Sequence, residues 1–205
     1  MPSNLDSFKD FLLIFPDTIV FGSLLIGLTT LSIQHSLLFV SFLQSFIILF
    51  GLQNVFSFIF TKTENAAACK SKFHTLMFGD LLSSTSANNP SYAIYVVSFA
   101  CSYLLTSFYE IKEELDVLDS SFYKQYESAL FLLTFLPLCY AAIRFFIGCE
   151  DMLFGLISVF IGAFVGVLIE YQNVNIFGRN AINFLGIPLL RNKSANNEPI
   201  YICSK

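Results

Sequence analysis

Long apolar runs alternate with short polar breaks along this chain, and the breaks decide how many elements it holds. From Thr18 to Thr61 the only ionisable side chain is His35. At about 1.5 Å per helical residue, that run is far too long for one crossing of a bilayer core of about 30 Å. The polar cluster Ser32, Gln34, His35 and Ser36 is the natural break, so the pattern predicts helices near 17–33 and 37–60 in a tight hairpin. Pro90 and Ser91 open a third run over about 91–108. A fourth covers about 128–147 with Pro137 inside it, and a fifth about 152–171. A proline kinks a membrane helix and is tolerated where neighbours or water satisfy the carbonyl it frees. The last two runs carry no charge between Glu127 and Arg144 or between Asp151 and Glu170, and a polar knot of Arg144, Glu150 and Asp151 joins them.

The polar segments have patterns of their own. Leu5, Phe8, Leu12 and Phe15 fall on one helical face opposite Asp6, Lys9 and Asp10, which predicts a short interfacial helix before the first span. Pro16 and Asp17 then suit a helix start. Residues 61–91 form a long loop with three lysines. Residues 109–127 are acidic, and Leu115, Leu118 and Phe122 are spaced for a surface helix. From Asn173 onward the chain reads as a docking tail, because its apolar stretch Ile182 to Leu190 is broken by Gly186 and Pro188. The expected organisation is a helical bundle over 1–172 and a tail over 173–205.

Composition fixes the class. Of the 205 residues 55% are hydrophobic and 13% are charged, with a mean hydropathy of +0.68. Soluble domains carry about 25% charged residues. The expected fold is therefore an all-α, polytopic membrane bundle with about five transmembrane helices plus the N-terminal interfacial helix. There are 25 Phe and no Trp, so Tyr92, Tyr109, Tyr126, Tyr140 and Tyr171, near the ends of the runs, are expected to take the interfacial positions that Trp often fills. The net charge of −4 includes no basic tract, which argues against a nucleic-acid partner. Five cysteines without a C-x-x-C pair read as free thiols in a reducing compartment, with no metal site and no cofactor. No signal peptide is expected at the N-terminus. Five spans put the termini on opposite sides, and the basic residues divide too evenly between the faces to orient them.

The same topology brings the loop 61–91 and the knot 144–151 to one face of the bilayer. Lys70, Lys72, His74, Pro90, Ser91, Arg144, Glu150 and Asp151 can therefore meet there, and ionisable residues at such a boundary are candidate functional groups. On the fifth run Ser158, Gly162 and Gly166 recur every four residues, a stripe that lets a second helix backbone approach closely.

Arg144 to Gly155, RFFIGCEDMLFG, and Pro90-Ser91-Tyr92-Ala93 resemble the third and second motifs of the type 2 phosphatidic-acid phosphatase superfamily, which includes acid phosphatases and haloperoxidases. The resemblance spans roughly Lys70 to Glu170. It implies a helical bundle in which Arg144 with Lys70 or Lys72, beside Pro90 and Ser91, would bind phosphate, and Asp151 would start the last helix. The departures bear on chemistry. Between Gly148 and Asp151 the motif's nucleophilic histidine is missing, Tyr92 stands where Gly-His belongs, and no Arg-Pro follows the loop lysines. Such a reaction needs one histidine to form the phospho-enzyme and one to protonate the leaving alcohol.

Bland alternatives stand beside each candidate. Arg144 can snorkel or pair with Glu150 or Asp151, and that acidic pair can cap the fifth helix. The first expectation is a non-catalytic membrane protein with a structural or scaffolding role, interacting with membrane lipids and docking other proteins through 109–127 and 173–205. The Phe, Asn, Ser and Ile bias also fits a protein of the internal membrane of a large DNA virus particle. The alternative is a divergent lipid-phosphate phosphatase using His74, Arg144 and Asp151, or a phospholipid-binding protein.

Overall fold

The computed structural model describes residues 4–59, 90–112 and 120–184. Among them every regular element is helical: α1 (Asn4–Thr30), α2 (Ile33–Ile59), α3 (Tyr92–Glu110), α4 (Ser120–Phe146), α5 (Met152–Phe177) and a 3-10 turn (Arg179–Ile182). All five α-helices are long and apolar enough to cross a membrane. The chain is a polytopic, all-α membrane bundle.

Among the described spans the shortest, α3, is the centre. In α3, 61% of the apolar stretch is buried, against 17% in α4, which leaves most of α4 for lipid. One face of α3 carries Tyr92, Tyr95, Phe99 and Tyr103, spaced to lie along one stripe. Phe99 meets Phe42 of α2 at 5.1 Å between ring centroids, and Tyr92 meets Phe46 at 5.7 Å. The next face presents Ala93, Ile94, Val97 and Cys101 to Tyr140 and Ala141 of α4 and Val159 of α5.

The largest interface joins α3 and α5, which run parallel and nearly touch. A methyl group on Gly162 would lie 2.6 Å from the carbonyl oxygen of Tyr95, and one on Gly166 would lie 2.7 Å from that of Phe99 and would collide with Ser102. Ser158 is fully buried in the same row. Its hydroxyl accepts from the Ser91 amide at 2.8 Å and donates to the Phe154 carbonyl at 2.7 Å. Ser98 returns the contact by donating to the Val159 carbonyl at 2.6 Å. Small residues here serve backbone approach, since lipid offers little hydrophobic force to press helices together.

Four boundaries differ from the sequence reading. The expected interfacial helix and first span are one helix, with Pro16 inside it. A proline at position i leaves the carbonyl at i−4 without its amide donor, and here that carbonyl belongs to Leu12. The Tyr140 hydroxyl of α4 donates to it at 2.9 Å, so the helix continues through the proline. The α1–α2 break falls at Leu31–Ser32, where Leu31 takes φ 50°, rather than at 34–36. Gly27 sits under this turn, and a methyl there would lie 2.8 Å from the Ser36 hydroxyl.

The other two differences lie at the far end. Residues 120–127 belong to α4 instead of the acidic loop, and α5 runs past 171 to Phe177. The start of the expected tail is therefore part of the bundle. Ile182 packs fully buried against Ile111 and Tyr126, and the Gln34 amide donates to the Asn180 carbonyl at 3.0 Å. Phe184 lies edge-on to both His35 and Tyr103. The surface-helix residues Leu115 and Leu118, and the tail beyond 184, lie outside the described residues. Of the five tyrosines expected at the interface, Tyr109 and Tyr171 are exposed, whereas Tyr126 and Tyr140 are buried and turned to helix contacts.

Gly162→Ala should lower thermal stability in detergent by about 1–3 kcal/mol, because the added methyl runs into the α3 backbone at Tyr95 and into Ser98 Cβ, neither of which can swing aside. Gly155→Ala, whose methyl would lie 3.5 Å from Ile94 Cδ1, should melt within error of the parent. Equal melting of the two variants would remove the close-approach role of the stripe.

Candidate functional site

The polar knot at the shared end of α3, α4 and α5 is built by the ends of those helices. Arg144 lies in the last turn of α4 and is buried. After Phe146 the chain turns through Gly148, whose φ of 79° suits glycine, and the Cys149 amide donates back to the Arg144 carbonyl at 3.0 Å. This tight reversal brings Glu150 beneath the guanidinium. Arg144 Nε and Nη2 donate to Glu150 Oε1 at 3.1 and 2.9 Å. The Ser91 hydroxyl, at the start of α3, donates to the same oxygen. Glu150 Oε2 is buried and accepts no hydrogen bond. The guanidinium carbon lies 5.9 Å from the centre of the Tyr140 ring, on which it rests as a cation–π contact.

Further contacts tie in the remaining helices, α1 and α2. The Tyr92 hydroxyl donates to Asp17 Oδ1 of α1 at 2.7 Å, and Gln53 of α2 donates to the Pro90 carbonyl at 3.0 Å. Asp17, Gln53, Ser91, Tyr140 and Arg144 are all buried. Five helices thus meet in one polar cluster at this end of the bundle.

The structure brings Pro90, Ser91, Arg144 and Glu150 together and leaves Asp151 out. Asp151 occupies the N-cap position of α5 but is exposed and makes no side-chain capping bond. Its neighbour is engaged by Arg144, so the acidic pair is not a paired cap. Lys70, Lys72 and His74 lie outside the described residues. His35 is at the opposite end, hydrogen-bonded to Ser32 at 2.9 Å. The Tyr92 hydroxyl, one residue past Ser91, is taken up by Asp17.

The cysteine expectation needs a correction. Cys101 and Cys139 are free thiols inside helices, but Cys149, in the turn of the knot, is disulfide-bonded. The turn lies beyond the helix ends, where thiol exchange has access that the helical interior denies.

Sequence reasoning missed Asp17, Gln53, Tyr92 and Tyr140. A signal existed for one of them: Pro16 announces a free carbonyl at Leu12, which calls for a donor from another helix. Comparisons with protein-family models, curated proteins and solved structures find no match to the chain. The phosphatase resemblance therefore rests on the quoted residues.

Chemically, the cluster is an ion pair closed on itself. Removing one partner of a buried pair leaves an uncompensated charge, whereas replacing both with apolar groups is often neutral. Arg144→Ala should therefore cost about 3–5 kcal/mol of stability. Arg144→Leu combined with Glu150→Leu should melt closer to the parent than either single variant. Additive losses in this double-mutant cycle would show that the two side chains are not coupled.

Proposed function

We propose that this protein is a non-catalytic, multi-pass membrane protein with a structural or scaffolding role in a larger membrane-associated assembly. The observation that carries this reading is the state of Arg144. The residue that would bind phosphate in a phosphatase is buried and neutralised by Glu150, six residues along the same chain. Glu150 supplies internally the anion that a lipid phosphate would otherwise bring. An incoming phosphate would have to displace a carboxylate also held by Ser91, and expel it as an unpaired charge.

The structural role would be exercised through the 109–127 segment and the tail from Asn173, whose portions 109–112, 120–127 and 173–184 are held against the helices. Crosslinks made in native membranes should concentrate on lysines 112, 124, 193 and 205, which flank or lie in those segments. Confinement of crosslinks to Lys9 and the 61–91 loop would contradict this. The finer reading, a protein of the internal membrane of a large DNA virus particle, draws on residue composition alone.

A second reading draws on the same cluster, because Pro90-Ser91 and Arg144 do meet as they would in a phosphate site. It is phospholipid binding, with or without hydrolysis through His74. Purified protein in liposomes containing phosphatidic acid should release no phosphate, and the lipid should leave the melting temperature unchanged. Glu150→Gln, which frees the guanidinium, should gain stabilisation by phosphatidic acid. Phosphate release that is lost in His74→Ala would overturn the non-catalytic reading.

A further inference from the structure

The far end of the α3–α5 seam holds a second buried acid that the knot does not involve. Glu170 continues the row of Ser158, Gly162 and Gly166 by one more step of four, so it faces α3 where the two helices are nearly in contact. It is 1% exposed, and its Oε1 accepts no hydrogen bond. One turn on, the Asn173 amide donates to Ser41 of α2 at 2.8 Å and to the Tyr103 hydroxyl of α3 at 2.9 Å. Ser41, Tyr103, Ser107 and Asn173 are all buried in this layer.

Among the described residues no salt bridge or hydrogen bond joins Glu170 to a cation, and the basic side chains nearest in sequence to this end are Lys112, just past α3, and Arg179. Arg179, on the 3-10 turn, is directed at Glu110: its Nη2 donates to the Glu110 carbonyl, and its Nε lies 4.0 Å from Glu110 Oε2. Glu110, at the end of α3, is itself acidic and adds repulsion. His35 of α2 is bonded to Ser32 and packed on Phe184, and α4 contributes the neutral Tyr126 to this end. An isolated carboxylate in such surroundings costs several kcal/mol even after relaxation, and the usual escape is to remain protonated. Ionisable residues inside membrane segments often mark proton or ion sites.

We propose that Glu170 is a proton-binding site within the membrane, occupied at neutral pH and exchanging with the aqueous phase at the Glu110 end of the bundle. Loss of the proton would place a charge in the seam beside the Asn173–Tyr103–Ser41 bonds that tie α5 to α2 and α3. The seam should weaken when that proton is lost, because an unbalanced charge then stands where the two helices nearly touch.

Infrared difference spectroscopy of the full-length protein in lipid tests this. A protonated-carboxyl stretch that shifts in heavy water should be present at neutral pH and lost in Glu170→Gln. The parent's melting temperature should fall at alkaline pH, and Glu170→Gln, which mimics the neutral acid, should lose that part of the fall. No such band at neutral pH, or a band unchanged in Glu170→Gln, would overturn the proposal. A band abolished by sodium chloride but not by choline chloride would also overturn it, by assigning the site to a metal cation.

Discussion

A guanidinium cannot lie bare in hydrocarbon, and the end of α4 is organised around that constraint. Arg144 belongs to a helix that is largely exposed to lipid, so its charge must leave for the aqueous face or be met within the protein. The chain meets it by turning back at Gly148 and placing Glu150 below it. Ser91 joins the same carboxylate oxygen, which fixes the start of α3 relative to the end of α4 and the start of α5. Tyr140 shares in both tasks: its ring carries the guanidinium, and its hydroxyl satisfies the Leu12 carbonyl that Pro16 orphans. One residue pair thus sets the spacing of three helices and, through Tyr140, the course of a fourth.

Between the two ends the bundle is held by shape. Gly162 and Gly166 allow the α5 backbone to approach that of α3, and the aromatic stripe of α3 fills the space toward α2. Polar layers then close the seam at each end, Arg144–Glu150–Ser91 on one side and Asn173–Tyr103–Ser41 on the other. This arrangement explains why α3, flanked on three sides, is the most buried of the described spans although it is the shortest of them. Polar residues in a membrane interior find partners because the alternative is an unsatisfied group in lipid.

The helical class, the number of spans and the small-residue stripe were legible because hydropathy and four-residue spacing report directly on lipid and on helix contact. The meeting of Pro90-Ser91 with Arg144 was legible from topology, since five crossings force both to one face. Boundaries were less so. Pro16 looked like a helix start because the donor that rescues the helix, Tyr140, lies 124 residues away in sequence. Residues 173–184 looked like a tail because their partners, Gln34, Glu110 and Ile111, are scattered through the chain. The disulfide at Cys149 had no sequence signature at all, as spacing alone does not reveal pairing.

The most direct test of the closed ion pair is an experimental structure of the full-length chain in a bilayer containing phosphatidic acid. The guanidinium of Arg144 should lie against Glu150 over the Tyr140 ring, with no lipid phosphate within hydrogen-bonding distance. An Arg144 turned away from Glu150 and bonded to a headgroup phosphate beside Ser91 would contradict it and favour a working phosphate site.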